Sequence, residues 1–196
     1  MSLHLVPDDI RQDYEIHEWR NALAVLRGAH ETEWNDLLEV LREFHFTAKE
    51  VLEGGGSKSK MARRLDEGFG ARGWKEKSFD VQIMVDGKVY EAPTHKVDFY
   101  KNRVAVEVEW SNKDPFFDRD LNNFRLLFDL RAIDVGIIIT KSDELAEIFR
   151  ELDVWDKYGW STTWMRKLLP RLNGGGGGGC PILVIGIRKS RFIDNR

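Results

Sequence analysis

The sequence is poor in cysteine and proline, and it lacks a long hydrophobic run. Among 196 residues it has one cysteine, Cys180, and five prolines. A single cysteine excludes an internal disulfide framework and a cysteine-based zinc site, and it fits the reducing cytoplasm where we expect the protein to work. No stretch of about 18 apolar residues occurs, so no transmembrane helix is predicted. The first fifteen residues lack the basic and apolar regions of a secretory signal, and none is predicted.

An excess of positive charge is also missing. The chain has 30 lysines and arginines against 33 acidic residues, which gives a formal net charge of −3. This is not the strongly basic composition typical of a nucleic-acid-binding domain. The total does not exclude DNA binding, because carboxylates that bind a metal ion count against it. The length and the 42% of hydrophobic residues predict one globular domain with a sizeable core.

The spacing of apolar residues predicts an α/β fold. Helical spacing indicates helices over residues 8–27, 31–52, 116–131, 142–152 and 162–172, and a short helix after residue 60. Strand patterns indicate hairpins within 79–92 and 96–112 and buried strands over 133–140 and 181–187. This order predicts a central mixed β-sheet flanked by helices on both faces. The six glycines 174–179 are typical of a mobile loop.

The stretch KVDFYKNRVAVEVEWSN, residues 96–112, carries three acids in a hairpin pattern. With Lys101-Asn102 as the turn, strand alternation predicts one apolar face, made of Val97, Phe99, Val104, Val106, Val108 and Trp110. The other face holds Asp98, Glu107 and Glu109 beside the small Ala105. Glu107 would lie diagonally across from Asp98, at roughly 7–8 Å between backbones. Two carboxylates at that spacing can share one small cation.

Two interpretations of this acidic face are open, a solvated surface and a metal-binding cluster. Glutamate is a poor strand former, and like charges on one face repel unless a cation neutralises them. The apolar run 133–140 favours a central position for the hairpin, where acids without a cation would be very costly. Hard oxygen ligands fit Mg²⁺, with Mn²⁺ as a substitute. Such a site points to phosphodiester hydrolysis by water that the metal activates.

The residues around these acids resemble the motif of the BglII and BstYI restriction endonucleases. The resemblance rests on DFYKNRVAVEVEWSN (98–112), RGWKE (72–76), IDVG (133–136) and LVIGI (183–187), and it covers roughly residues 68–188. It implies a restriction-endonuclease-like core, the PD-(D/E)xK fold, without the usual lysine. Together with the length and the apolar spacing, it predicts a single endonuclease domain over 1–196, with helices in 1–53 and the catalytic sheet in 79–188.

The resemblance implies a role for each acid. Asp98 and Glu107 would hold the metal ion. Glu109 stands where the typical motif has the lysine that polarises the attacking water, where BglII-like enzymes have glutamine and BamHI has glutamate. Glu109 would therefore orient or deprotonate water, or help to hold a second metal. Glu76 is a candidate for an assisting role.

The implied substrate is double-stranded DNA. A homodimer would cut both strands of a short palindromic site, because two-fold protein symmetry matches a palindrome. The resemblance suggests a GATC core for that site and a cognate DNA methyltransferase in the cell. The candidate DNA-binding residues are Lys58, Lys60, Arg63, Arg64, Asn112 and Lys113. Two alternatives stay open, a structure-selective or repair nuclease of the same fold and a non-catalytic DNA-binding protein.

Overall fold

Helices and strands alternate along the chain in a computed structural model that describes residues 2–53, 59–92 and 94–196. The N-terminal part contains α1 (Asp8–Asp13), β1 (Tyr14–Trp19), α2 (Ala22–Ala29), α3 (Glu31–Glu43), β2 (Phe46–Thr47), α4 (Ala48–Leu52) and α5 (Lys60–Ala71). The central part contains β3 (Lys75–Lys77), β4 (Gln82–Val85), β5 (Lys88–Glu91), β6 (Val97–Lys101), β7 (Val104–Glu109) and α6 (Phe116–Asp129). The last part contains β8 (Val135–Lys141), α7 (Leu145–Glu151), α8 (Trp155–Tyr158), α9 (Met165–Asn173), β9 (Ile182–Ile187) and β10 (Phe192–Ile193).

A six-stranded mixed sheet forms the centre of the molecule, in the order β1-β9-β8-β7-β6-β3. The three middle strands β7, β8 and β9 are parallel, and the outer strands β1, β6 and β3 pair antiparallel. Every residue of β8 and β9 is buried, as their unbroken apolar runs predict. The carboxyl ends of the parallel strands meet at one edge, which brings Glu109 beside Thr140.

Hydrophobic cores lie on both faces of this sheet. One core joins the sheet to α2, α3, α5 and α7 through residues such as Trp34, Phe69 and Phe149. The other joins it to α6 and α9 through residues such as Phe124 and Leu168. The predicted α/β fold with helices on both faces is therefore confirmed. No helix within the described ranges is long and apolar enough to cross a membrane.

The predicted helices in residues 8–52 are wrong in two places. Residues 14–19 form β1, which pairs with β9 and adds an edge strand to the sheet, so the segment 1–53 is not made of helices alone. The second predicted helix ends at Glu43, since β2 pairs with β10 near the end of the chain. Thr47 then starts α4 with a capping box to Glu50. Both strands depend on partners distant in sequence, which local periodicity does not reveal.

The glycines 174–179 form defined turns, so the prediction of a mobile loop is wrong. Gly176 N–H donates to the Arg171 carbonyl at 3.0 Å, and the Gly178 carbonyl accepts from Trp19 Nε1 at 3.2 Å. A Cβ on Gly177 would lie 2.3 Å from Ile182 Cδ1. A side chain at Gly177 would therefore require Ile182 to move.

The hairpin of β6 and β7 has a different register from the predicted one. Its turn is Asn102-Arg103, where both residues have positive φ (44° and 66°) as two-residue hairpins of this type require. Phe99 therefore pairs with Val106. The register moves by two residues, so most side chains keep their predicted faces. Val97 is the exception: it packs in the core of α6 and α9, beside an irregularity in the pairing of β6 with β3.

Candidate active site

A cavity of about 340 Å³ opens beside the carboxyl end of β7. Residues from β6, β7, the segment after β7, and the starts of α5 and α6 contribute to its walls. The polar side chains among them include His95, Asp98, Glu109, Asn112 and Arg119. Because β7 is an interior strand of the sheet, the base of this cavity is shielded from water while its mouth is open.

Glu107 and Glu109 project from β7 toward the face covered by α6, and each is only 1% exposed. Burial raises the pKa of both carboxyl groups well above the ordinary value for glutamate. The nearby carboxylate of Asp120 adds to the rise for both, and that of Asp98 adds to the rise for Glu107. The predicted acidic face therefore faces the protein interior and not bulk water.

Asp98 lies where the regular pairing of β6 and β7 ends. Its Oδ2 accepts the backbone N–H of Val108 at 2.9 Å, and its own backbone N–H lies 3.4 Å from Glu107 Oε2. Continuing the observed register by one residue places Asp98 opposite Glu107, where the sequence predicts a diagonal pair. The side chain of each acid thus contacts the backbone beside the other.

His95 and Asp120 join Glu107 in a second group of side chains. His95 Nε2 lies 3.1 Å from Glu107 Oε1 and 3.2 Å from Asp120 Oδ1. Asp120 projects from α6 and has no exposed surface. Burial alone lowers the pKa of His95, but the hydrogen bonds to Asp120 and Glu107 outweigh it and raise this pKa to about 9. Histidine, glutamate and aspartate together are a donor set that can hold a metal ion.

Asn112 and Arg119 hold Glu109 in place. Asn112 Nδ2 donates to Glu109 Oε2 at 3.0 Å, and Arg119 Nη2 lies 3.5 Å from Glu109 Oε1. The same Arg119 nitrogen donates to Asp120 Oδ1 at 2.9 Å, and its guanidinium stacks on the Phe116 ring. Asn112 is a predicted DNA contact. In the structure its side-chain amide donates to Glu109, a candidate catalytic residue.

Lys141 fixes the segment that follows Glu109. This side chain is fully buried, and its ammonium donates to the Trp110 carbonyl and to Thr162 Oγ1. It also lies 4.9 Å from the centre of the Trp164 ring. Burial lowers the pKa of Lys141 well below the ordinary lysine value. The ammonium thereby ties Trp110, the residue after Glu109, to the loop before α9.

A family model described as restriction endonuclease BglII/BglIII matches residues 14–187. The chain belongs to the BglII family of restriction endonucleases. Membership confirms the resemblance and makes the chain a restriction nuclease that acts on DNA. A search among curated proteins found no match. Enzymes of this family usually use a divalent metal ion.

In this BglII-family chain, the predicted basic cluster before and within α5 is largely occupied by internal ion pairs. Lys60 contacts Glu53, and Arg64 donates to Glu50 through Nε at 2.9 Å and Nη2 at 2.7 Å. Arg63 is exposed and has no ion pair among the described residues. Arg63 is therefore the member of this cluster best placed to contact a phosphate.

The remaining predicted site residues that the structure describes, Lys113 and Glu76, do not line the cavity. Lys113 is exposed, and its Nζ lies 3.3 Å from Ser161 Oγ. Glu76 lies on the exposed strand β3, where it pairs with Lys96 at 3.0 Å and does not join the buried acids. Lys58 lies outside the described residues.

Sequence reasoning missed His95, Arg119, Asp120 and Lys141. One signal was present, because Asp120 falls on the apolar stripe of α6 three residues after Phe117. A polar residue on a buried stripe requires an explanation, and a site provides one. The other three carry no such signal. Each acts through neighbours that only the folded chain brings together.

Proposed function

We propose that the chain is a type II restriction endonuclease, a single endonuclease domain that hydrolyses phosphodiester bonds in double-stranded DNA at a short palindromic site. One observation carries the proposal. In a chain of the BglII family, Asp98 and Glu109 line a cavity open to solvent, and the buried Glu107 lies two residues before Glu109 on the same strand, with Oε2 3.4 Å from the Asp98 backbone nitrogen. This is the arrangement that metal-dependent phosphodiester hydrolysis needs.

The residues fit Mg²⁺. Asp98 and Glu107 would supply oxygen ligands from adjacent strands, and since burial raises the pKa of the Glu107 carboxyl, positive charge beside it would favour its ionised form. Mg²⁺ commonly binds one or two carboxylates together with water and phosphate oxygens. We assign Asp98 and Glu107 to hold this ion, for which Mn²⁺ can substitute. When bound, the ion supplies positive charge that stabilises the phosphate oxygens during hydrolysis.

The protein's own groups handle the attacking water. Glu109 accepts a proton from that water, while the amide of Asn112 holds one carboxylate oxygen and so orients the other. Arg119 adds positive charge beside the same carboxylate. Lys141 keeps the backbone after Glu109 in place through the Trp110 carbonyl. Glu109 thus takes over the position that lysine has in the typical motif.

DNA binding and symmetry complete the proposal. Arg63 and Lys113 are exposed near the two sides of the cavity and are proposed to contact phosphates, with Lys58, Lys60 and Arg64 adding charge. A palindromic site calls for a homodimer, each copy cutting one strand. The resemblance to BglII and BstYI supports a GATC core for the site. A cognate methyltransferase would protect the host DNA.

Digestion of a plasmid of known sequence with purified protein and Mg²⁺ tests the proposal. We expect discrete fragments from the wild type and none from Glu107→Gln, which keeps the side-chain size and removes the charge. Glu147→Gln is the matched control, because Glu147 is exposed on α7 and contacts only the Lys189 ammonium at 3.8 Å among its described ion pairs. The fragment ends would give the recognition sequence.

Two other outcomes would contradict the proposal. A smear that Glu107→Gln abolishes would indicate a structure-selective or repair nuclease. Absence of cutting with Mg²⁺ or Mn²⁺ on unmethylated DNA, together with DNA binding, would indicate a non-catalytic DNA-binding protein.

A further inference from the structure

The side chain of Glu107 meets two others, those of His95 and Asp120, which come from different parts of the fold. His95 precedes β6, Glu107 lies on β7 and Asp120 on α6. One ligand atom of each lies within 4.8 Å of the other two. The group is distinct from the pair of Asp98 and Glu107, because neither His95 nor Asp120 belongs to that pair.

The spacing of these atoms matches the ligand shell of a small divalent cation. His95 Nε2 lies 3.1 Å from Glu107 Oε1 and 3.2 Å from Asp120 Oδ1. Ligand atoms at right angles around an ion with bonds of about 2.1 Å lie about 3.0 Å apart. The two spacings from His95 therefore already suit such an ion, and the carboxylates of Glu107 and Asp120 lie within 4.8 Å of each other.

A second observation points to a ligand at the same place. Asp120 has no exposed surface, and its Oδ2 has no hydrogen-bond partner among the described residues. One helical turn further along α6, Asn123 is 4% exposed, and neither polar atom of its side chain has a partner in the described part of the chain. Buried polar atoms are nearly always bonded, so these atoms indicate a missing polar partner.

The charge balance favours a cation as that partner. Glu107, Glu109 and Asp120 are three buried carboxylates, and Arg119 is the guanidinium that contacts two of them. Arg119 and a protonated His95 together leave one of the three negative charges uncompensated, which is costly in a buried site, and a divalent ion in place of the imidazole proton would balance it.

We propose that His95, Glu107 and Asp120 form a second cation site that takes a divalent transition metal, such as Mn²⁺ or Co²⁺, in preference to Mg²⁺. An imidazole nitrogen suits these metals, whereas Mg²⁺ prefers oxygen ligands alone. The inference rests on the proposed function in one respect, because Glu107 is shared with the Mg²⁺ site assigned there. Glu107 would be a ligand in both sites.

Binding of Co²⁺ to the purified protein without DNA tests the inference directly. Co²⁺ bound to an imidazole moves the resonance of the ring N–H proton far outside the diamagnetic range of the proton spectrum. We expect one such resonance, lost in D₂O, from the wild type and none from His95→Gln. His17→Gln is the matched control, because His17 also lies beside a glutamate, at 2.7 Å from Glu15 Oε1. It should keep the resonance.

A count of bound Mn²⁺ gives an independent measurement. The electron paramagnetic resonance signal of free Mn²⁺ disappears on binding, and we expect at least tenfold weaker binding at one site in His95→Gln and in Asp120→Asn. Asp98→Asn should weaken the other site and keep the shifted histidine resonance. Thermal unfolding of each variant shows that it is folded.

A wild-type protein without a shifted histidine resonance at saturating Co²⁺ would overturn the inference, and it would indicate that His95 is an imidazolium that pairs with both acids. Equal Mn²⁺ binding by wild type and His95→Gln would overturn it as well. Neither result depends on DNA cleavage. A protein that shows the resonance but cuts no DNA would contradict the proposed function and leave the second site standing.

Discussion

At the scale of single residues, Glu107 and Glu109 share a strand, a face and the same 1% exposure, but they differ in their neighbours. Glu107 contacts the imidazole of His95 and the backbone of Asp98. Glu109 contacts the amide of Asn112. The first environment supplies further metal ligands, and the second supplies a donor that orients a carboxylate. Their proposed roles follow from these neighbours.

Glutamine substitutions should separate the two roles. Glu109→Gln keeps an oxygen that can position water but cannot accept its proton, so we expect a loss of about 10²-fold to 10⁴-fold in the cleavage rate. Glu107→Gln removes a ligand charge from the metal site and should leave no measurable cleavage. Single-turnover rates on a labelled duplex measure both. Equal rates for the two variants would contradict the division of roles.

The buried Lys141 should make stability depend on pH. Its pKa in the folded protein lies below the ordinary lysine value of 10.5, so the unfolded chain binds more protons between these two pKa values. The contribution of Lys141 to the free energy of unfolding should therefore increase as the pH rises from the lower pKa to the higher one. Urea denaturation of wild type and Lys141→Met at several pH values measures it. The variant should not show this increase. If the free energies of unfolding of wild type and variant changed in parallel with pH, the lowered pKa of Lys141 would be contradicted.

At the scale of elements, the hairpin of β6 and β7 is fixed by contacts with other segments. Asn102 Nδ2 donates to Glu33 Oε1 at 2.8 Å, and Arg103 donates to Asp134 through Nε at 2.7 Å and Nη2 at 2.5 Å. These bonds hold two residues with positive φ at the turn. The register that results brings Asp98 opposite Glu107. A turn at Lys101-Asn102 would lose the contact of Arg103.

The packing of α6 on the sheet depends on Gly136 in β8. A Cβ there would lie 2.4 Å from the Phe124 ring, so Gly136→Ala should lower the free energy of unfolding by about 1–3 kcal/mol. The cleavage rate should also fall, since α6 carries Asp120. Chemical denaturation and the plasmid assay measure the two effects.

Gly28→Ala is the control for this substitution. Gly28 lies inside α2, and a Cβ there would have no heavy atom within 4 Å. Alanine is a better helix former than glycine, so this variant should be more stable by roughly 0.5–1 kcal/mol. A loss of stability in Gly28→Ala similar to that in Gly136→Ala would show that the clash with Phe124 is not the cause.

At the scale of the whole molecule, a net charge of −3 is compatible with a DNA-cutting enzyme because part of the negative charge is buried. Glu107, Glu109 and Asp120 are each at most 1% exposed, so they add little to the negative charge on the protein surface. Binding then depends on individual exposed cations and not on the overall charge. Arg63 is such a residue, whereas Arg64 is paired with Glu50.

These two arginines should therefore respond differently to salt. Arg63→Ala should weaken DNA binding and reduce the slope of log affinity against log salt by about 1. Arg64→Ala should leave that slope close to the wild-type value and lower thermal stability, because it breaks the pair with Glu50. Fluorescence anisotropy with Ca²⁺ in place of Mg²⁺ measures affinity without cleavage. The reverse pattern would assign the phosphate contact to Arg64.

The sequence by itself determined the buried strands β8 and β9 and the common face of Glu107 and Glu109. Runs of apolar residues and alternation along one strand are local properties, so these features need no knowledge of partners. The resemblance to the BglII family rests on the same local stretch and on its flanks. Helix α6 also follows from local spacing.

The tertiary structure alone decided which residues meet. Segments far apart in the chain meet where β1 pairs with β9, where β2 pairs with β10 and where His95 contacts Asp120. The turn at Asn102-Arg103 likewise depends on its contacts with Glu33 and Asp134. Periodicity shows which face a side chain occupies but not which element covers that face. The sequence of β7 therefore specified Glu107 and Glu109. The packing of α6 over this strand added Asp120, a third buried carboxylate, and the fold brought His95 beside it.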